Sequence, residues 1–140
     1  MKYGSLILEK KEFQLLESLL RSIQYAKDES YKGSMIKLAQ ELKTASIRSE
    51  EEFPEDVIRF NSIVEIESFD GTSRKYQLVR PEESNVALNR ISILAPLGSA
   101  LIGYACNDEI SWHFPSGEKR IKILGVENPL KQKKTESKNS

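Results

Sequence analysis

Two adjacent carboxylates, Asp28 and Glu29, sit in a polar stretch between two segments of helical apolar periodicity. A pair of acids at the tip of a helical hairpin offers hard oxygen ligands, the chemistry that holds a divalent cation. The same pair also reads as a solvated loop in which Asp28 caps a helical turn, and the residues by themselves favour that reading. His113 lies between Trp112 and Phe114 in a strand-like run, with no nucleophile and no second or third metal ligand at a recognisable spacing. It is expected to be a structural or surface histidine. Cys106 precedes Asn107 and Asp108 in an expected turn, and without a neighbouring base it reads as an ordinary thiol. Neither a Walker sequence nor Gly-x-Gly-x-x-Gly occurs, which disfavours a nucleotide-hydrolysing enzyme. Tyr76, Trp112 and Phe114 occupy strand positions where aromatic side chains pack on cross-strand neighbours. Glu50, Glu51 and Glu52 read as a helix edge or linker. No catalytic residue, cofactor or metal is expected, and the chain is not expected to be an enzyme on its own.

Composition limits what those residues can serve. A chain of 140 residues has room for one domain, or for a small core with a helical attachment. Lys plus Arg equals Asp plus Glu at 21 each, so the basic excess that drives phosphate neutralisation is missing. Direct sequence-specific nucleic-acid binding is therefore not expected. One cysteine cannot make an internal disulfide, which points to a reducing, intracellular setting. Leu6-Ile7-Leu8 is far too short for a signal core or a membrane span. A cytoplasmic, monomeric protein without a membrane partner is the expectation.

The elements that position the candidates follow from periodicity. Phe13, Leu16, Leu20 and Ile23 stack on one face of a helix spanning Lys10 to about Gln24. Met35, Leu38, Leu42 and Ala45 repeat the pattern from Ser34 to Ile47, with Ser34 as N-cap and Tyr25–Gly33 as the connector. This predicts an antiparallel helical hairpin, a short coiled coil, over residues 1–48. The acidic run and Pro54 then end the helical period. Ile63–Glu67 and Lys75–Val79 flank an Asp70-Gly71 turn and form a β-hairpin. Ile91–Leu94 reads as a third strand, and Ser99–Ile102 as a single short helix. Glu109–Phe114 and Lys119–Val126 flank Pro115-Ser116-Gly117 as a second hairpin. The fold class is thus α+β: a helical hairpin before a meander-like antiparallel β domain, residues 49–130, carrying one short helix. Residues 131–140 are polar and are expected to be a disordered tail.

An ordered series of motifs then becomes recognisable. Pro54–Val64, Leu78-Val79-Arg80-Pro81, Ile91–Gly103 with its Ala95-Pro96-Leu97-Gly98 core, Asn107-Asp108 and Pro115-Ser116-Gly117 resemble the C-terminal domain shared by the GreA/GreB transcript-cleavage factors and Rnk. The resemblance covers about Phe53 to Val126, and the short preceding hairpin is closest in layout to Rnk. It implies an FKBP-like β domain that docks on the β′ subunit of bacterial RNA polymerase at the secondary-channel rim, with the hairpin directed into the channel. Pro96 matches the proline of the family's polymerase-binding element, so Ser92, Ala95, Pro96 and Leu97 are the expected contacts. In the family, acids at the coiled-coil tip hold a catalytic magnesium ion in the polymerase active centre, and Asp28 and Glu29 are similar in chemistry. Arms of about fifteen residues reach only roughly 20–25 Å at 1.5 Å per residue, which is short for that task. Asn107 replaces the glycine of the family's Gly-Asp turn, and asparagine tolerates the left-handed geometry such a turn requires.

The expected function is a transcription regulator that binds polymerase and acts by occupying the secondary channel or competing with other factors there. Assisted transcript cleavage by the tip acids is the alternative. Retained prolyl isomerase activity of an FKBP-like sheet is a third reading, without an aromatic-lined pocket in the sequence to support it.

Overall fold

The computed structural model describes residues 2–22, 25, 27, 29–114 and 117–129. The chain enters through strand β1 (Ile7–Glu9) and passes directly into helix α1 (Lys10–Leu20). The Glu9 side chain accepts the backbone N–H of Glu12 at 3.0 Å and so satisfies one of the orphan donors of the first turn. Leu16 and Leu19 are buried, and Phe13 and Leu20 are partly buried beside them. Ile23, the fourth residue of the expected stripe, lies outside the described residues.

Helix α2 runs over Glu29–Leu42, not Ser34–Ile47. Its start five residues earlier places Gly33 and Ser34 inside the helix, so Ser34 is not the N-cap. The Ser34 hydroxyl instead donates to the carbonyl oxygens of Leu94, at 2.8 Å, and Tyr31, at 2.9 Å. At the other end, N–H groups of Lys43, Thr44 and Ala45 bond back to Gln40, Glu41 and Leu42, a tightened last turn. Ser46–Arg48 then becomes strand β2, parallel to β1 in the register Ile7↔Ser46, Leu8↔Ile47 and Glu9↔Arg48. Ile47 was expected as the end of the second helical segment. A long-range partner and its β-branched side chain settle it as strand.

The larger sheet contains β3 (Ile63–Ser68), β4 (Ser73–Val79), β5 (Arg90–Ser92), β6 (Glu109–Phe114) and β7 (Gly117–Glu127), in the spatial order β5-β4-β3-β7-β6. The β3–β4 hairpin turns through Gly71 at φ 84°, with an Asp70 carboxylate oxygen accepting the Thr72 N–H at 3.0 Å. The sheet is mixed, which corrects the expected antiparallel meander. The Pro81–Asn89 excursion, with 3₁₀ turns at Pro81–Glu83 and Val86–Leu88, returns the chain only three residues along β4. β5 therefore runs parallel to β4. Long β7 pairs with both β3 and β6, so the last strand lies between earlier ones. Helix α3 (Pro96–Leu101) is the short helix expected in this half, but it begins at Pro96, three residues before the expected Ser99.

Leu16, Leu19, Met35 and Leu38 of the helices share one buried cluster with Val64, Ile66, Leu78, Ile93, Leu101, Ile110 and Ile123. The change of composition near Ser49–Pro54 is thus not a gap in packing, because the helices cover the β half. Arg59, Glu12 and Glu50 join the two halves through buried charge. Both Arg59 Nε and Nη2 donate to Glu12 Oε2, at 2.9 and 2.5 Å, while Nη1 and Nη2 donate to the two Glu50 oxygens at 2.6 and 2.8 Å. Asn107 has φ 74°, the left-handed geometry that the Asn-Asp turn was expected to need. Residues 131–140 and the turn residues Pro115 and Ser116 lie outside the described residues. Among the described residues no helix is long and apolar enough to cross a membrane.

Candidate functional site

The segment from β5 to α3 is built around a close backbone approach. At Gly98 an added Cβ would stand 2.0 Å from the Ser92 carbonyl oxygen, so a side chain here is sterically excluded. Ser92 is buried, and its hydroxyl accepts the Leu94 N–H at 3.0 Å while its carbonyl accepts the Ala95 N–H at 3.1 Å. Ala95 is extended, with φ −66° and ψ 155°, and Pro96 occupies the first turn of α3, where its missing N–H costs nothing. Ser99 closes the turn: its N–H bonds the Ala95 carbonyl at 2.9 Å and its hydroxyl the Pro96 carbonyl at 3.0 Å.

The four residues expected to contact a partner therefore divide. Pro96 is exposed, Ala95 and Leu97 are half-buried, and Leu97 packs against the main core. Ser92 is buried, and its hydroxyl is engaged by the Leu94 N–H. Ser34 ties α2 to this segment through the Leu94 carbonyl, and the Tyr104 hydroxyl reaches Glu41 of α2 at 3.4 Å. Burial raises the Tyr104 pKa, with the Glu41 charge adding to it, to about 12.

Of the acidic pair, Glu29 is the exposed first residue of α2, where a negative charge suits the helix N-terminus. Asp28 lies outside the described residues. Tyr25, in the connector, bonds Glu82 of the β4–β5 loop at 3.4 Å and stacks at a tilt on Tyr31, ring centroids 6.4 Å apart. This places Tyr25 at the rim of the β half. Cys106 is half-buried, its thiol 3.4 Å from the Leu124 carbonyl. His113 lies in β6. Among the described residues no three His, Cys, Asp or Glu side chains converge as a metal site.

Sequence reasoning missed the Glu12–Arg59–Glu50 group. Arg59 is 2% exposed, and its guanidinium also lies over the Phe53 ring at 4.6 Å. Burial disfavours its charge, yet the carboxylates of Glu50 and Glu12 outweigh that and hold its pKa above the ordinary arginine value. Burial pushes the Glu12 carboxyl up, against the opposing pull of Arg59 and the Phe60 N–H. The available signal was an arginine inside the apolar run Val57-Ile58-Arg59-Phe60, since a charge there needs partners. Also missed were Val86 and Leu88, 89% and 58% exposed on the β4–β5 loop.

Three comparisons bear on this arrangement. Residues 53–128 match the family described as transcription elongation factor, GreA/GreB, C-terminal. The transcription elongation factor GreA of Syntrophus aciditrophicus is 34% identical over 95 residues, covering 67% of this chain and 59% of that one. The regulator of nucleoside diphosphate kinase of Escherichia coli K12 is 38% identical over 92 residues, 64% of this chain and 68% of that protein. The chain thus covers less than two thirds of the GreA relative's length. The solved structure of a GreA/GreB elongation factor from Nitrosomonas europaea superimposes with a TM-score of 0.72 at 30% identity, over 89% of this chain and 99% of that one.

Proposed function

Since this chain belongs to the GreA/GreB transcription elongation factor family through its C-terminal domain, we propose that it is an RNA-polymerase-binding transcription regulator that acts by occupancy and not by catalysis. In this reading the FKBP-like β half docks on the β′ subunit at the secondary-channel rim. The helical pair then lies at the channel entrance and competes with other factors that use it. The carrying observation is the Ser92–Gly98 turn, inside the matched region, which presents Pro96 at the surface on a rigid backbone. A preorganised, exposed apolar residue binds without the entropy cost of ordering a loop. The monomer is the binding unit, and no sequence-specific nucleic-acid contact is involved.

The helices favour occupancy over reach. Helices of 11 and 14 residues span roughly 16 and 21 Å at 1.5 Å per residue. The Tyr25–Glu82 contact also holds Tyr25 beside the β half. The test is co-purification of the full chain with core RNA polymerase, with and without Pro96→Asp. Capture of the unmodified chain and its loss in the variant is the expected result. No capture of the unmodified chain overturns the proposal.

Assisted transcript cleavage is the second reading, favoured only by the exposure of Glu29 beside Asp28 at the start of α2. Backtracked complexes supplied with the chain, and with Asp28→Ala/Glu29→Ala, decide it. A cleavage rate unchanged by adding the unmodified chain removes that reading.

A further inference from the structure

The two helices carry a groove without an occupant among the described residues. Phe13 and Leu20 of α1 and Met35, Ile36, Ala39 and Leu42 of α2 form its walls and floor. It comprises two adjoining hollows of about 420 and 280 Å³, with Leu20 and Ala39 lining both. Ile36 is 56% exposed, and Ala39 beside it in the groove is exposed too. The charged residues lining the groove are Arg21, Lys32 and Lys43 against the single acid Glu17. Among the described residues none of the three cations forms an ion pair.

We propose that this groove binds an amphipathic helix of a protein partner, with apolar residues on its inner face and acidic residues along its flanks. Two helices side by side present a trough whose ridges accept a third helix, and i, i+3, i+4 and i+7 anchors fill such a trough. The length fits. From Lys32 to Lys43 the wall is three helical turns, roughly 16 Å. Charge selects among occupants. A second copy docking by the same face would oppose three cations to three cations across an isologous interface. The chain's own end, Lys131–Ser140, carries four lysines and one glutamate and is repelled likewise. An acidic helix gains attraction at each rim and buries the apolar floor.

The proposal does not depend on polymerase binding, and its test uses the full chain alone. A fluorescein-labelled helical peptide with leucines at the anchor spacing and glutamates on the flanks is titrated with the protein, beside a control with lysine for every glutamate. Saturable binding of the acidic peptide, at least tenfold weaker for the basic one and weakened by added salt, is expected. Ala39→Glu, at an exposed position, should reduce acidic-peptide binding at least tenfold. Lys32→Glu/Lys43→Glu should reverse the preference, a gain for the basic peptide that an unfolded variant cannot show. Equal binding of the two peptides, binding of neither, or a preference the charge reversal leaves unchanged overturns the proposal. So does sedimentation as a dimer that Ala39→Glu converts to monomer.

Discussion

Arg59 and Glu12 are 47 residues apart in sequence, yet two guanidinium nitrogens converge on one Glu12 oxygen at 2.9 and 2.5 Å, while the other Glu12 oxygen accepts the Phe60 N–H at 3.2 Å. The pair is the polar joint between α1 and the β half, and Glu50 from the intervening segment completes it.

Removing Arg59 takes the guanidinium partner from the largely buried Glu12 carboxylate. Arg59→Ala is expected to lower unfolding stability by about 3–5 kcal/mol, as for other broken buried pairs. Urea unfolding measures this. Glu12→Gln keeps the shape and one acceptor, and should cost less than half as much. An Arg59→Ala midpoint equal to the unmodified protein's would show that the joint contributes nothing net.

Gly98 packs against the Ser92 carbonyl with no room for a methyl group. Gly98→Ala should destabilise by about 1–3 kcal/mol through overpacking, lowering the melting temperature by roughly 3–12 °C. The displaced turn should also weaken polymerase capture. Calorimetry together with the capture assay checks both, and a variant of unchanged melting temperature would refute the packing argument.

Tyr104 should ionise later than an ordinary tyrosine. Burial, and then the Glu41 carboxylate, raise its pKa to about 12, above the value of about 10 expected in the unfolded chain. The folded state therefore holds the proton longer. The resulting stability is fully present below about pH 10 and is lost as pH rises through the folded value. Tyrosinate absorbance in the Glu41→Gln protein should show this group titrating earlier. An unchanged titration would remove Glu41 as a cause.

The N-terminal segment should loosen in acid. Burial works to raise the Asp56 pKa, but hydrogen bonds from the Lys2 ammonium and the Tyr3 hydroxyl prevail and hold it below the ordinary value. Its contribution is present above about pH 3.9, the unfolded value, and is lost as pH falls through the lower folded one. Lys2 is about half exposed, so Asp56→Asn should cost under about 1 kcal/mol. Amide exchange near Tyr3 as pH is lowered reads out this contact, and protection unchanged in Asp56→Asn would exclude it.

Much of the chain was legible because local pattern reports local exposure. The alternation through Ile63–Glu67 and Lys75–Val79, with Asp70-Gly71 between, specifies a hairpin wherever the rest of the chain goes. Pro96-Leu97-Gly98 marked the break after the third strand, and the short apolar run Ser99–Ile102 marked a helix, which in the structure already begins at Pro96. Leu16 and Leu20, and Met35, Leu38 and Leu42, lie on the helices that their spacing indicated, although α2 begins earlier and ends earlier than the spacing implied.

The sequence by itself determined the identity of most elements, the presence of a short helix after β5, the tolerance of Asn107 for its turn, and the family. Only the tertiary structure decided that Ile47 pairs with Leu8, that β7 lies between β3 and β6, that Ser92 faces inward, and that Arg59 meets Glu12. The division has a physical cause. Periodicity and turn chemistry act over a few residues and are written in consecutive side chains. Strand order and charge pairing depend on which distant segments close onto one another, and many sequences of the same local pattern could close differently.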